Sequence, residues 1–142
     1  MGNEDKSSFL SQWDGWAKNG SLATGYKMVS DQIQNRALSV RQPFAEQIML
    51  SIKKIEFRSK LTHIRGRVYI YASKTPRIDA YKKMNVEPGT FPVGVLVGTV
   101  EIVDCIKKSG EYHWILANPK RLKTLVEPET HPQPVWFKPY KE

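Results

Sequence analysis

ALSVRQPFAEQIMLSIKKIEFRSKLTHIRGRVYIYASKT, Ala37 to Thr75, changes its hydrophobic period along its length, and each change marks a new element. Leu38 to Arg41 reads as a short strand. Pro43 then stands where a first helical residue is expected, because the N–H it lacks has no intrahelical partner there. Phe44, Ala45, Ile48, Met49 and Ile52 recur with the roughly 3.6-residue spacing of one apolar helix face, while Glu46, Gln47 and Ser51 fall off it. The helix is expected to stop near Ser51 or Ile52.

From Ile55 the period drops to two. Ile55 and Phe57 alternate with Lys54, Glu56 and Arg58, the pattern of a strand with one buried face. It predicts Ile55 and Phe57 in the core and Glu56 with Arg58 on the opposite face. Lys53, at the helix-to-strand junction, is within reach of that face. An ammonium, a carboxylate and a guanidinium are thus gathered beside a helix end. Gly66 opens the next strand, Arg67 to Ala72. Val68, Ile70 and Ala72 share one face; Arg67, Tyr69 and Tyr71 share the other, which is equipped to stack bases and hold phosphate.

The run LSVRQPFAEQIMLSIKKIEFRS…RGRVYIYAS resembles the ASCH domain (activating-signal-cointegrator homology), a family of the PUA-like superfamily. The family signature reads Gly-x-Lys-x-x-Glu-x-Arg. This chain has Ser51-x-Lys53-x-x-Glu56-x-Arg58, so three of the named positions match and Ser51 stands in for the glycine. The resemblance extends from about Ala37 to about Pro139, where GEYHWIL and VWF look like the family's C-terminal half. It implies an α+β fold, a PUA-like small mixed β-barrel with flanking short helices. It also implies a cleft across the barrel with the motif's Lys, Glu and Arg at its floor, and RNA-related binding. Some branches act enzymatically on RNA or modified nucleosides. The branch that hydrolyses acylated cytidine places Thr where this chain has Glu56, so its nucleophile is missing at that position; Thr62 and Ser51 are the hydroxyls left to substitute.

Length and composition set the frame. The 142 residues, 40% of them hydrophobic, suit one domain with an added arm. The expected division is an N-terminal arm over 1–36 and the ASCH/PUA-like domain over 37–142. One cysteine, Cys105, excludes an intramolecular disulfide and is expected to be a small buried residue. No apolar run reaches the ~18 residues of a spanning helix, and the N-terminus lacks signal-peptide character, so a soluble cytoplasmic protein without a membrane partner is expected. The net charge of +8 is uneven: residues 36–142 carry 19 basic and 10 acidic side chains. Between Lys53 and Lys83 lie ten basic residues and two acids, a density that favours a polyanionic partner such as RNA or a nucleotide.

In the arm, Phe9, Trp13 and Trp16 have helical spacing behind Ser7 and Ser8 and predict a short amphipathic helix. NGSLATG is a loop, and Met28 to Gln34 is expected to form a brief helix. After the central stretch, Pro76 to Met84 suits a helix. Val93 to Ile106 reads as a long strand, apolar on both faces and interrupted by glycines, as in a small barrel. Glu111 to Leu116 is expected to be a short helical turn ended by Asn118-Pro119. Leu122, Leu125 and Val126 hint at another strand, and Val135 to Phe137 at a closing one.

The candidate ligand site comprises Arg41, Gln42, Lys53, Glu56, Arg58, Arg65, Arg67, Tyr69 and Trp114. Lys53 offers a point charge for phosphate, or an acid or base if burial lowers its pKa. Arg58 offers a planar fork, and Glu56 an acceptor that also orients Lys53. Lys53 and Glu56 are the candidate catalytic pair. A ribonuclease needs a base and an acid, and Lys53, Tyr69, His63 and His113 all remain eligible. A structural pairing of Glu56 with Lys53 or Arg58 is the competing reading. No metal-ligand cluster and no phosphate-cradling glycine loop is visible, so neither metal nor cofactor is expected.

Overall fold

The computed structural model describes residues 32–142. The expected aromatic helix around Trp13, the loop after it, and most of Met28 to Gln34 lie outside these residues; Ile33 and Gln34 themselves are strand. The elements are β1 (Ile33–Arg41), α1 (Phe44–Met49), β2 (Ile55–Arg58), β3 (Gly66–Ser73), α2 (Ile78–Met84), β4 (Val95–Lys108), β5 (Glu111–Val126) and β6 (Trp136–Phe137). They form a six-stranded mixed sheet in the order β2-β5-β4-β3-β1-β6. Only β1 and β3 run parallel; the other neighbours are antiparallel.

The sheet curls into a half-barrel. Register shifts interrupt β3–β4 once and β4–β5 three times. Each such bulge adds local twist and bends the strand that carries it. As a result, strands far apart in sheet order come within reach. Arg58 of β2 donates to the Ser39 carbonyl of β1, and Trp114 of β5 stacks on Trp136 of β6 with ring centroids 5.8 Å apart.

The inner face carries the main core: Leu38 and Val40 of β1, Val68 and Ile70 of β3, Val97, Val100 and Ile102 of β4, and Trp114 and Leu116 of β5. Ala45, Ile48 and Met49 of α1 close over it, as their spacing predicts. The helix approaches β4 closely at Gly98. A side-chain carbon there would collide with the Met49 sulfur and the Lys120 carbonyl, so glycine is what lets α1 settle on the sheet. A second cluster on the outer face holds Ala37, Tyr71, Leu96 and Phe137, with Tyr69, Leu122 and Tyr140 packed beside it.

Three sequence expectations fail here. Glu111 to Leu116 is the first part of the sixteen-residue strand β5, and not a helical turn. Ser109 and Gly110 both take positive φ (+54° and +82°), which closes β4 and β5 into a tight hairpin and starts the strand at Glu111. Asn118-Pro119 does not end the element either; Asn118 (φ +51°) sits among the irregularities of the β4–β5 ladder and the strand continues. Ile52 also leaves the predicted apolar face. The helix stops at Met49, and Ile52 is 64% exposed.

Candidate ligand site at the barrel edge

The end of α1 sets up the site. The Ser51 N–H donates to the Ile48 carbonyl, and the Ile52 and Lys53 N–H groups both donate to the Gln47 carbonyl. This is a Schellman closure, with Ser51 in the left-handed conformation at φ +62°. The signature glycine falls on this residue, where a Cβ is disfavoured. The turn delivers Lys53 beside the start of β2.

β2 faces the other way from its sequence reading. Glu56 is 7% exposed, whereas Phe57 is 50% exposed and meets the His113 ring edge-on at 4.7 Å. Ile55 is half-buried. Alternation identified the strand but placed Ile55 and Phe57, and not Glu56 and Arg58, toward the core. In the curled sheet the side of Glu56 and Arg58 turns inward: Glu56 pairs with Trp114, a core residue, and Arg58 pairs with Tyr112, packed against the same core.

Glu56 holds two cations. Arg58 Nε and Nη2 lie 2.8 and 2.6 Å from Glu56 Oε2, and Lys53 Nζ lies 3.5 Å from Oε1. Arg58 Nη2 also donates to the Ser39 carbonyl at 3.1 Å, and the guanidinium sits 5.6 Å from the Trp114 ring. The Lys53 ammonium lies over the rings of Phe44 and Phe57 at 5.4 and 5.1 Å. Trp114 donates its indole N–H to the Lys60 carbonyl. One carboxylate between two cations leaves the cluster with a net positive charge. Among the described residues, Arg58 Nη1 makes no hydrogen bond, Glu56 Oε1 accepts none, and Lys53 Nζ has, besides the two rings, only the long contact to Glu56. The cluster therefore keeps donors for an incoming anion.

Trp114 belongs with Lys53, Glu56 and Arg58, but the other expected site residues do not. Arg41 donates to the carbonyls of Thr75 and Pro76, pinning the chain ahead of α2. Gln42 is fully buried: its amide donates to the Pro92 carbonyl, and its Oε1 accepts the Glu46 N–H at the start of α1. Arg65 donates to the carbonyls of Thr62 and Ile64. Arg67 is buried away from the cluster, with Nη1 donating to Thr99 Oγ1 and the Asn118 carbonyl, both at 2.9 Å. Tyr69 packs against Tyr140 in the outer cluster; burial first, and then Tyr140, pushes its phenol above the usual range. A neutral phenol held there is not placed to act with Lys53.

Further candidates are also relocated. His63 is exposed in its loop. His113 lies on the other face of β5 from Trp114, 3.6 Å from Glu111. Thr62 is buried and its hydroxyl accepts the Ile64 N–H. Cys105 is half-buried, not buried as expected, because only β5 flanks its stretch of β4. No group of three His, Cys, Asp or Glu able to hold a metal occurs among the described residues, and no described helix is long and apolar enough to cross a membrane.

Sequence reasoning missed Ser39, Tyr112 and Trp136 as neighbours of the cluster. Reading YHWIL as a strand would have put Tyr112 and Trp114 on one face, as aromatic-rich runs favour strands. Ser39 and Trp136 join through barrel closure, which carries no local signal.

The ASCH domain model matches residues 38–125. Activating signal cointegrator 1 from Homo sapiens is 35% identical over 83 residues, covering 50% of this chain and 14% of that protein. The Mus musculus protein is 34% identical over the same length and shares. The chain therefore spans about one-seventh of the curated relatives it matches. Among solved structures, ASCH from Zymomonas mobilis aligns with TM-score 0.51 at 12% identity, over 72% of this chain and 85% of that one. A serine-to-alanine point mutant of the same protein aligns with TM-score 0.52 at 12% identity, over 72% and 86%. At that identity the likeness concerns the fold.

Proposed function

As the chain belongs to the ASCH domain family, we propose that it binds RNA or a nucleotide through the Lys53–Glu56–Arg58 cluster. The observation that carries this reading is the unspent hydrogen-bonding capacity of two half-buried cations held by one carboxylate. A purely structural pair needs one cation for Glu56; here there are two, and the excess charge sits beside Trp114 and Trp136. Phosphate suits the free edge of the Arg58 fork and the Lys53 ammonium. Lys54, Lys60, Arg65, Lys74, Lys82 and Lys83 are exposed on the same basic segment and supply a sequence-independent attraction.

Fluorescence anisotropy with a labelled single-stranded RNA, titrated at several salt concentrations, tests the proposal. Affinity should fall steeply with salt, and Arg58→Lys, which keeps the charge but removes the fork, should weaken binding at every salt. A flat salt response, or unchanged binding by Arg58→Lys, would count against it. The recovered RNA, and acylated cytidine incubated in parallel, should be unaltered. Product lost on Lys53→Met would move the assignment to a hydrolase.

A further inference from the structure

The geometry points to Tyr112 as a base-stacking platform and Lys107 as a phosphate contact, so that the site continues along the β4–β5 hairpin and takes a run of single-stranded nucleic acid. This rests on the nucleic-acid reading above and adds the form of the ligand and its path.

At this end the β4 side of the hairpin has no further strand beside it among the described residues. β3 pairs with β4 only as far as Gly66 opposite Ile102; beyond that point β4 has β5 alone as a neighbour. β5 in turn meets β2 from Tyr112 to Ile115. Across these three strands the register aligns Arg58 with Tyr112 and Tyr112 with Lys107. The next row aligns Glu56, Trp114 and Cys105. Residues in register across neighbouring strands project from the same face. The packing agrees, since Tyr112 and Cys105 both lie against the inner core that contains Trp114.

Arg58, Tyr112 and Lys107 therefore form one row leading away from the cluster: cation, ring, cation. Lys107 Nζ lies 5.9 Å from the Tyr112 ring centre, and among the described residues it makes no ion pair. Tyr112 is half-buried, with part of its ring held by the core and part open. Neighbouring strands lie roughly 4.8 Å apart, so the row spans about 10 Å. One phosphate at Arg58 leaves Tyr112 and Lys107 unused. A nucleic-acid strand running across the row meets phosphate contact, stacking surface and phosphate contact in turn, the combination by which proteins grip single strands without reading sequence.

The test compares a labelled oligouridylate about ten nucleotides long with uridine monophosphate, on the purified full chain. Tyr112→Leu should weaken the oligonucleotide by about 5- to 100-fold and leave the mononucleotide unchanged. Tyr112→Phe, which keeps the ring, should bind within about twofold of the wild type. Lys107→Gln, at an exposed residue whose loss does not threaten folding, should reduce the salt slope for the oligonucleotide by about one. If Tyr112→Leu and Lys107→Gln bind the oligonucleotide as the wild type does, while Arg58→Lys is weakened, the extension is wrong and the cluster stands. If Tyr112→Phe fails as badly as Tyr112→Leu, stacking is overturned. If the wild-type protein binds neither ligand, the parent reading falls and the extension falls with it.

Discussion

Lys53, Glu56 and Arg58 on the inner side of the sheet and Arg67, Tyr69 and Tyr71 on the outer side begin with similar chemistry. Each set has a strand-borne guanidinium beside aromatic rings: Arg58 of β2 with Trp114 nearby, and Arg67 of β3 with Tyr69 and Tyr71 in the same strand. The outer set is absorbed into structure: Arg67 ties β3 to Thr99 and Asn118, and the tyrosines pack with Phe137 and Tyr140. The inner set also makes structural contacts, since Arg58 reaches Ser39 across the barrel. It nevertheless retains two partly open cations and an acceptor without a hydrogen bond. Residue type alone does not separate a site from a scaffold; the separation lies in which donors folding leaves unspent.

The largest effect that sharpens this contrast is expected on the outer face. Arg67→Met removes a buried donor from Thr99 and Asn118. It should lower stability by roughly 2–4 kcal/mol in urea unfolding, and the folded fraction should still bind RNA normally. Loss of binding without loss of stability would place Arg67 in the site. Glu56→Gln should cost less, about 1–2 kcal/mol, because Lys53 and Arg58 retain some access to water after losing their anion. Little change in the unfolding midpoint would mean that Glu56 does not hold the two cations together.

How far the sequence shows these arrangements depends on the distance over which each is determined. The apolar stripe Ala45, Ile48, Met49 located α1, and the change to period two located β2, because both signals are local. The stop at Met49 and the positive φ at Ser51 follow from a turn whose usual glycine is replaced, so the helix ran too long in the sequence reading. The facing of β2 could not be read locally. Alternation gives two faces, but only the curl of the sheet and the position of Trp114 decide that Glu56 is the buried one. Contiguous apolar and aromatic residues hid the period-two pattern at the start of β5. Lys53, Glu56 and Arg58 were legible as a group and Trp114 only as a separate candidate, because the stretch that carries it was read as a helical turn, whereas Arg67 and Tyr69 were drawn in by charge and ring content on a face that proves to be packed.

Smaller effects refine the same picture. Ser51→Gly relieves a left-handed residue and should raise stability by about 0.5–1 kcal/mol, measured as a higher melting temperature with RNA affinity unchanged. Burial raises the pKa of both Tyr69 and Tyr71 above 10.0. A phenol with a raised folded pKa contributes stability below its unfolded pKa and loses it as pH rises through the folded value. Stability should therefore decline from about pH 10 upward, and Tyr69→Phe should flatten that decline. An unchanged alkaline profile would show that Tyr69 is not packed as described.

The most direct measurement is a paired one on Lys53→Met, which keeps the apolar stem over Phe44 and Phe57 and removes the charge. RNA affinity by anisotropy and melting temperature by calorimetry are read on the same preparation. Binding weakened at least about tenfold, with stability changed by less than about 1 kcal/mol, is the predicted result. Wild-type affinity with a clearly lowered melting temperature would contradict the account and make the cluster a structural clasp.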